Sequence, residues 1–352
     1  MTGGVVTAPP VPRRAERLIM DAVMELLAAR ERGGPWPPLN LAMGVSAFDH
    51  TPYLEPDGSA AGGDLRGYGE PLGRLALREG ISRYYGEHFG LDVPPARICV
   101  TDGASGALVL ALGAASGPGR EVMVPDVGFP VFAGLVGLLG ATAVRVPLDA
   151  RFTYALDALE DRVTARTAAI VVNSPSNPFG TALTRGQLER LADLGVPLVS
   201  DEVYLPLAGD GAATSVAQVA DGHFVIGSFS KMFAAPGLRL GYVIVPERFL
   251  EAVKGVKALV NLTTSAPAQR LGERLLAGWR RVLEAHRAFL ADCREGFREA
   301  CQRRALCPLL TPEAGFFAVL DTSGWGQDSA TLAERLVREY GLAVAPGADF
   351  AS

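Results

Sequence analysis

Apolar positions recur along this chain in two rhythms. Leu18, Ile19, Ala22, Val23, Leu26 and Leu27 fall three and four apart, which puts them on one face of an amphipathic helix. Between residues 65 and 248, short apolar runs alternate with helical stretches. Ile98–Val100, Glu121–Val124, Ala168–Asn173, Pro197–Ser200, Phe224–Gly227 and Leu240–Val245 read as strands. Pro71–Phe89, Ala104–Ala115, Val131–Leu139 and Thr184–Leu194 read as helices, with Pro71 suited to a first turn and Thr184 to a cap. The run from Ala168 to Val172 is apolar at every position, the mark of a strand covered on both faces. Together these patterns predict an α/β fold: a three-layer, mostly parallel sheet with helices on both sides.

The texture changes past Pro246. Residues 248–305 read as mostly helical, broken near Asn261–Pro267. Two strand-like segments, Phe316–Leu320 and Ala343–Ala345, then flank the helix Ala330–Tyr340. This predicts a second, smaller α/β domain. The expected division is an N-terminal arm and helix over 1–50 that joins the small domain, a large domain over 51–248, and a small domain over 249–352.

Composition narrows the function classes. Of 352 residues, 49% are hydrophobic and 20% charged, which excludes disorder as the dominant state. Lys and Arg number 33 against 38 Asp and Glu, a net charge of −5, so nucleic acid is not expected as a partner. No apolar run reaches the roughly 18 residues of a membrane span, and Met1–Pro10 lacks the basic start and apolar block of a secretion signal. The four cysteines show no C-x-x-C spacing, and reduced thiols in a cytoplasmic protein are expected. His50, His88, His223 and His286 are scattered, so no metal site is expected. Gly67–Gly73 imitates a dinucleotide fingerprint but has one residue too many and no strand directly before it.

Four segments sit where predicted strands end, the edge at which open parallel sheets bind ligands. Thr101-Asp-Gly103-Ala104-Ser105 opens a helix, and its small residues let backbone N–H groups approach an anion; a plain strand–helix turn has the same look. Asn173-Ser-Pro175-Ser-Asn177-Pro178 is a rigid loop that aims the Asn177 amide, although turn chemistry alone also yields Asn-Pro pairs. Asp201 ends a buried strand, where a carboxylate needs a cationic partner unless it caps a helix. Lys231, in Ser228-Phe-Ser230-Lys231, stands between strand and loop, a setting for a lowered pKa and imine chemistry or for an ordinary solvated lysine.

The order and spacing of these segments, with Gly237-Leu-Arg239-Leu-Gly241-Tyr242 after the lysine and Tyr204 three residues after Asp201, resemble the fold type I pyridoxal-phosphate (PLP) enzymes, specifically the class I/II aminotransferases. The resemblance runs from about Leu39 to Ser352. It implies a PLP-dependent aminotransferase that moves an amino group between an amino acid and a keto acid through a Lys231 Schiff base, with Lys231 also shuttling the proton. Asp201 would keep the ring nitrogen protonated. Asn177 and Tyr204 would hydrogen-bond the ring's phenolic oxygen, and Phe129 would stack on the ring face. Gly103, Ala104 and Ser105 would seat the phosphate, with Ser228 and a bidentate Arg239 completing the cup. Tyr68 resembles the tyrosine that reaches the phosphate from a neighbouring subunit, which implies a homodimer with shared sites. Gly44 resembles the glycine that, with Asn177, lines the substrate site.

Members of that group carry an arginine for the substrate α-carboxylate about a strand beyond a Pro-Gly-x-x-Phe segment. Here Pro346-Gly-Ala-Asp-Phe350 is followed by two residues, so the expectation is either a longer chain or another carboxylate partner; Arg66 and Arg270 are of the right type. The same early chemistry also serves PLP-dependent lyases and cyclases, and such folds recur as PLP-binding sensors, so both stand as alternatives.

Overall fold

The structure, a computed structural model, describes residues 19–31, 39–42, 46–49, 67–209, 211, 213–304, 309–310 and 314–351. Helix α1 (Ile19–Glu31) precedes a two-residue strand, β1 (Leu39–Asn40), and α2 (Leu75–Phe89). The alternating region then runs β2 (Ile98–Thr101), α3 (Gly103–Ala115), β3 (Glu121–Pro125), α4 (Val131–Leu138), β4 (Thr142–Val146), α5 (Leu156–Glu160), β5 (Thr167–Asn173), α6 (Arg185–Ala192), β6 (Leu198–Asp201), β7 (Phe224–Ser228), the short α7 (Phe229–Met232) and β8 (Gly241–Ile244). Helices α8 (Leu250–Val260), α9 (Ala266–Ala277) and α10 (Trp279–Arg303) follow. Strands β9 (Leu309–Leu310) and β10 (Val319–Leu320), helix α11 (Ser329–Tyr340) and β11 (Leu342–Ala343) complete the order.

Seven strands form one sheet in the order β2-β8-β7-β6-β5-β3-β4. Only β8 runs antiparallel to its neighbours, β2 and β7. The sheet is therefore α/β and mostly parallel, as the alternation predicts. All seven residues of β5 are buried, which explains why Ala168–Val172 carries no polar position; Thr167 and Asn173 stand only at its ends. Thr184 caps α6 through a reciprocal box: its hydroxyl accepts from the Gln187 N–H, and the Gln187 side chain accepts from the Thr184 N–H.

Several boundaries differ from the sequence reading for physical reasons. Helix α2 begins at Leu75 rather than Pro71. Gly73 takes φ 95°, a left-handed turn, and the Leu72 carbonyl accepts from Val100 N–H at 2.9 Å, which ties residues 71–74 to β2. Strand β4 and helix α5 were not anticipated. Gly140 at φ 79° divides the apolar run after Phe132, and β4 lies at the sheet edge with mostly half-buried side chains, so its alternation is faint. The strand expected over Phe316–Leu320 shortens to β10 because Gly315, at φ 83°, turns the chain just before Phe316.

Outside the main sheet, β1 pairs in parallel with β11. Val23 and Leu27 of α1 pack with Ala333 and Val337 of α11 in a core of their own. The N-terminal helix thus lies against the C-terminal α/β elements. Among the described residues, no helix is long and apolar enough to cross a membrane.

Candidate active site

The site gathers at the edge where β2, β5, β6 and β7 end. Because β8 runs the other way, its first residue reaches the same edge. Gly241 lies between Thr101 of β2 and Ser228 of β7 in the register. The antiparallel turn therefore carries Arg239, two residues earlier, to the start of α3.

That helix start is shaped to receive an anion. Gly103 is the first residue of α3, at φ 74°, and its carbonyl accepts from the Thr101 hydroxyl at 2.9 Å. Its N-terminal amides, including those of Ala104 and Ser105, face an end that favours negative charge. A Cβ on Gly103 would lie 2.6 Å from Nη2 of Arg239, so the guanidinium is pressed against this turn. A Cβ on Gly241 would lie 2.6 Å from the Gly103 carbonyl carbon and 2.9 Å from the Ala104 nitrogen, which no side chain tolerates. Arg239 takes φ 49°, a left-handed conformation that costs a non-glycine residue about 1–3 kcal/mol and is retained mostly at functional sites. Ser228 is buried and caps α7 by accepting from the Ser230 N–H at 3.1 Å; its hydroxyl hydrogen remains available to a ligand.

Two acids end β6, and their surroundings separate them. Glu202 Oε1 accepts from the Ser200 hydroxyl at 2.9 Å and the Val216 N–H at 2.8 Å, so it is committed to the core. Asp201 is 4% exposed, and its side chain accepts only a 3.3 Å bond from the Val203 N–H among the described residues. Burial pushes the Asp201 carboxyl up to about 7, against that bond and the attraction of Lys231. A cation placed against it would relieve the burial cost.

Lys231 stands on α7 directly after β7, rather than in open loop, and is half-buried. Burial holds its ammonium below the ordinary lysine range; Arg239 lowers it further and Asp201 opposes both. Its Nζ lies over the rings of Tyr204, 5.9 Å from the centroid, and Phe316, at 5.6 Å. Tyr204 is buried, and burial raises its phenol well above the ordinary range. Asp201, Tyr204 and Lys231 thus share one neighbourhood, with Arg239 close enough to influence the amine.

The Asn177 loop is locked from below. The Asn177 N–H donates to Asn173 Oδ1 at 2.7 Å, and Asn173 Nδ2 donates to the Asp201 carbonyl at 3.2 Å. Asn177 and Gly128 line one small pocket with Asn173. Phe129, beside Gly128, leans edge-to-face on Phe132 at 5.6 Å. Tyr68 is described but stands apart, 86% exposed. Gly44 and Arg66 lie outside the described residues. Arg270 is half-buried on α9.

The sequence reading missed two supports of this site. Lys257 on α8 is wholly buried; its Nζ donates to the Val100 carbonyl at 2.9 Å and to Thr264 Oγ1 at 3.2 Å. It also donates to Asn261 Oδ1 at 3.3 Å, while Asn261 Nδ2 donates to Asp102, the residue that opens α3, at 2.5 Å. Nothing in the local sequence distinguishes this lysine from a surface one. Phe316 is the second, because the strand-like pattern around it carries no sign that it returns to Lys231.

These residues fit PLP on their own geometry: a helix end with an arginine for a phosphate, a buried acid short of a cation, and an amine with reduced hold on its proton. Residues 38–352 match the aminotransferase class I and II family. The chain is 33% identical over 300 residues to the aspartate/prephenate aminotransferase of Thermus thermophilus, an alignment spanning 81% of this chain and 76% of that one. It is 29% identical over 332 residues to aromatic-amino-acid aminotransferase 2 of Thermococcus litoralis, spanning 89% and 84%. A solved single mutant of Thermus thermophilus aspartate aminotransferase superposes with a TM-score of 0.88 at 29% identity, covering 98% of this chain and 93% of that one. With the anion cup, buried acid and amine on one sheet edge, the chain belongs to the class I and II aminotransferases: it is a PLP-dependent enzyme that moves an amino group between an amino acid and a keto acid.

Proposed function

We propose that Lys231 carries the cofactor and then moves the substrate's proton, with Asp201 holding the ring nitrogen. The observation that carries this reading is the placement of a half-buried amine and a buried acid on adjacent strand ends, each altering the other's affinity for protons. When bound, PLP supplies an aldehyde and a cationic ring that draws electron density from the substrate Cα.

The chain's own residues do the rest. Gly103, Ala104 and Ser105 present amides to the phosphate, and Ser228 and Arg239 close the cup around it. Asp201 stays ionised beside a cationic nitrogen, because that partner offsets the burial cost which otherwise favours its neutral form. Asn177 and Tyr204 would hold the phenolic oxygen, and Phe129 would cover the ring. Burial and Arg239 lower the hold of the Lys231 amine on its proton, against the pull of Asp201, which would suit it to take and return the Cα proton. Borohydride reduction of the loaded protein followed by peptide mass spectrometry is expected to find the cofactor on Lys231. An adduct on any other lysine, or none, overturns the reading.

The same reading takes the enzyme as a homodimer, with Tyr68 of the partner subunit reaching the phosphate and Gly44 lining the substrate site. Support comes from the exposed apolar surface beside the cup: Leu259 is 89% exposed and Val260 51%, next to the Asn261 that holds Asp102. Light scattering is expected to give twice the chain mass, and Tyr68→Phe to weaken cofactor affinity about tenfold. A fully active monomer would disprove the shared site. The division into 1–50, 51–248 and 249–352 and a cytoplasmic setting belong to this reading too; α1 packed on α11 supports the first, and free thiols at Cys99, Cys293 and Cys301 the second.

A further inference from the structure

We infer that Asn261, its amide oriented by Lys257, holds the Asp102 carboxylate off the first amides of α3 and so leaves them to the cofactor's phosphate. The inference rests on the reading that those amides seat the phosphate. Asp102 is the N-cap residue of α3, with Ala104 and Ser105 at the second and third helical positions. An aspartate at an N-cap ordinarily turns its side chain onto the N–H groups of those two positions. The chain thus places an anion of its own directly before the anion cup, where it would compete with a phosphate for the same donors.

The carboxylate is turned elsewhere. Among the described residues, the Asp102 side chain makes no cap bond to α3. Its Oδ2 accepts instead from Asn261 Nδ2 at 2.5 Å. Asn261 is held at the end of α8, where its N–H donates to the Lys257 carbonyl at 3.1 Å. Thr101, on the other side of Asp102, also leaves the amides open, because its hydroxyl donates to the Gly103 carbonyl.

Lys257 decides which way the Asn261 amide faces. An ammonium has donors and no acceptor, so a carboxamide beside it must present its oxygen. Lys257 Nζ donates to Asn261 Oδ1 at 3.3 Å, which leaves the Asn261 NH2 group for Asp102. The other two bonds of Nζ, to the Val100 carbonyl at 2.9 Å and Thr264 Oγ1 at 3.2 Å, anchor it to the strand that leads into α3. The Thr264 hydroxyl donates to the same Val100 carbonyl at 3.2 Å, and Gln269 Nε2 donates to the Thr264 carbonyl at 2.7 Å. A wholly buried ammonium is costly unless its donors are taken, and here they are. Burial lowers the hold of Lys257 on its proton, while Cys99 and Asp102 oppose that loss, so the charge of the acid is felt at the lysine. Lys257 and Asn261 touch no reacting atom in this account; they are positioning residues.

Equilibrium dialysis of the full-length protein against PLP and, separately, against pyridoxal, which lacks the phosphate, reads the effect. Asn261→Ala should weaken PLP binding about tenfold and leave pyridoxal binding within about twofold of wild type. Lys257→Met should act the same way, because the Asn261 amide is then free to turn. Adding Asp102→Ala to Asn261→Ala should restore PLP affinity to within about threefold of wild type, since no carboxylate remains to take the amides. If Lys257→Met fails to fold, Asn261→Ala and its rescue decide. Equal losses for PLP and pyridoxal, no loss for either, or no rescue by Asp102→Ala overturns the inference, because a merely structural Asn261 would not discriminate by phosphate. Arg239→Leu tests the reading beneath it: that variant should erase most of the preference for PLP over pyridoxal. If Arg239→Leu and Asn261→Ala both leave the preference intact, the phosphate seat itself is overturned.

Discussion

Replacing Lys231 by alanine removes the visible absorption band of the cofactor-loaded protein and lowers turnover at least about 10³-fold. The size of the effect follows from two jobs falling on one amine. No other described amine is known to share its position against Asp201, Tyr204 and Phe316, where burial and Arg239 both lower its hold on a proton. A lysine in water would be charged at neutral pH and unable to take a proton from carbon. The alanine variant should still bind PLP, because the helix end of α3 and Arg239 are untouched by the change. Absorbance and equilibrium dialysis on the same sample separate the two outcomes. A variant that keeps the band would show that another lysine does the work.

Asp201→Asn has the second largest expected effect: turnover falls about 10²–10³-fold while the fold and much of the cofactor affinity persist. Asparagine preserves the shape of the buried side chain and removes its charge. The substitution has a second signature, visible without cofactor. Burial raises the Asp201 carboxyl from its ordinary value to about 7, and does the same to Glu202. An acid with a raised folded pKa favours the folded state fully below its unfolded pKa of about 4, and that contribution is lost as pH rises through the folded value. The melting temperature of the cofactor-free protein should therefore fall by several degrees between about pH 5 and 8. Asp201→Asn removes one share of the slope and Glu202→Gln the other. Calorimetric scans across that range test it, and a slope that neither variant alters would refute the assignment of either acid.

Much of this enzyme is legible residue by residue. The alternation of apolar runs and helical spacing specified six of the seven strands and most helices of the sheet, because burial on both faces leaves no polar position in the middle of a strand such as β5. The capping box at Thr184 is a local hydrogen-bond exchange and so is visible locally. Lys231, Asp201 and Asn177 could be named because each lies at or just past a strand end, and Arg239 because its spacing after Lys231 resembles the class I/II aminotransferase pattern. Strand β4 escaped notice because an edge strand is only half covered, and half-coverage blurs the alternation that marks a strand.

Periodicity reports which face of an element is buried, but not what comes to rest against it. That β8 alone reverses direction, bringing Arg239 to Gly103, is a property of the sheet order. So are the buried Lys257 beneath the α3 turn and the return of Phe316 to Lys231 across 85 positions of chain. Contacts at such separation depend on how whole elements pack, and no short window of residues contains that information. The chain's local order decides the cofactor chemistry; the folded arrangement decides what stands beside the reacting nitrogen.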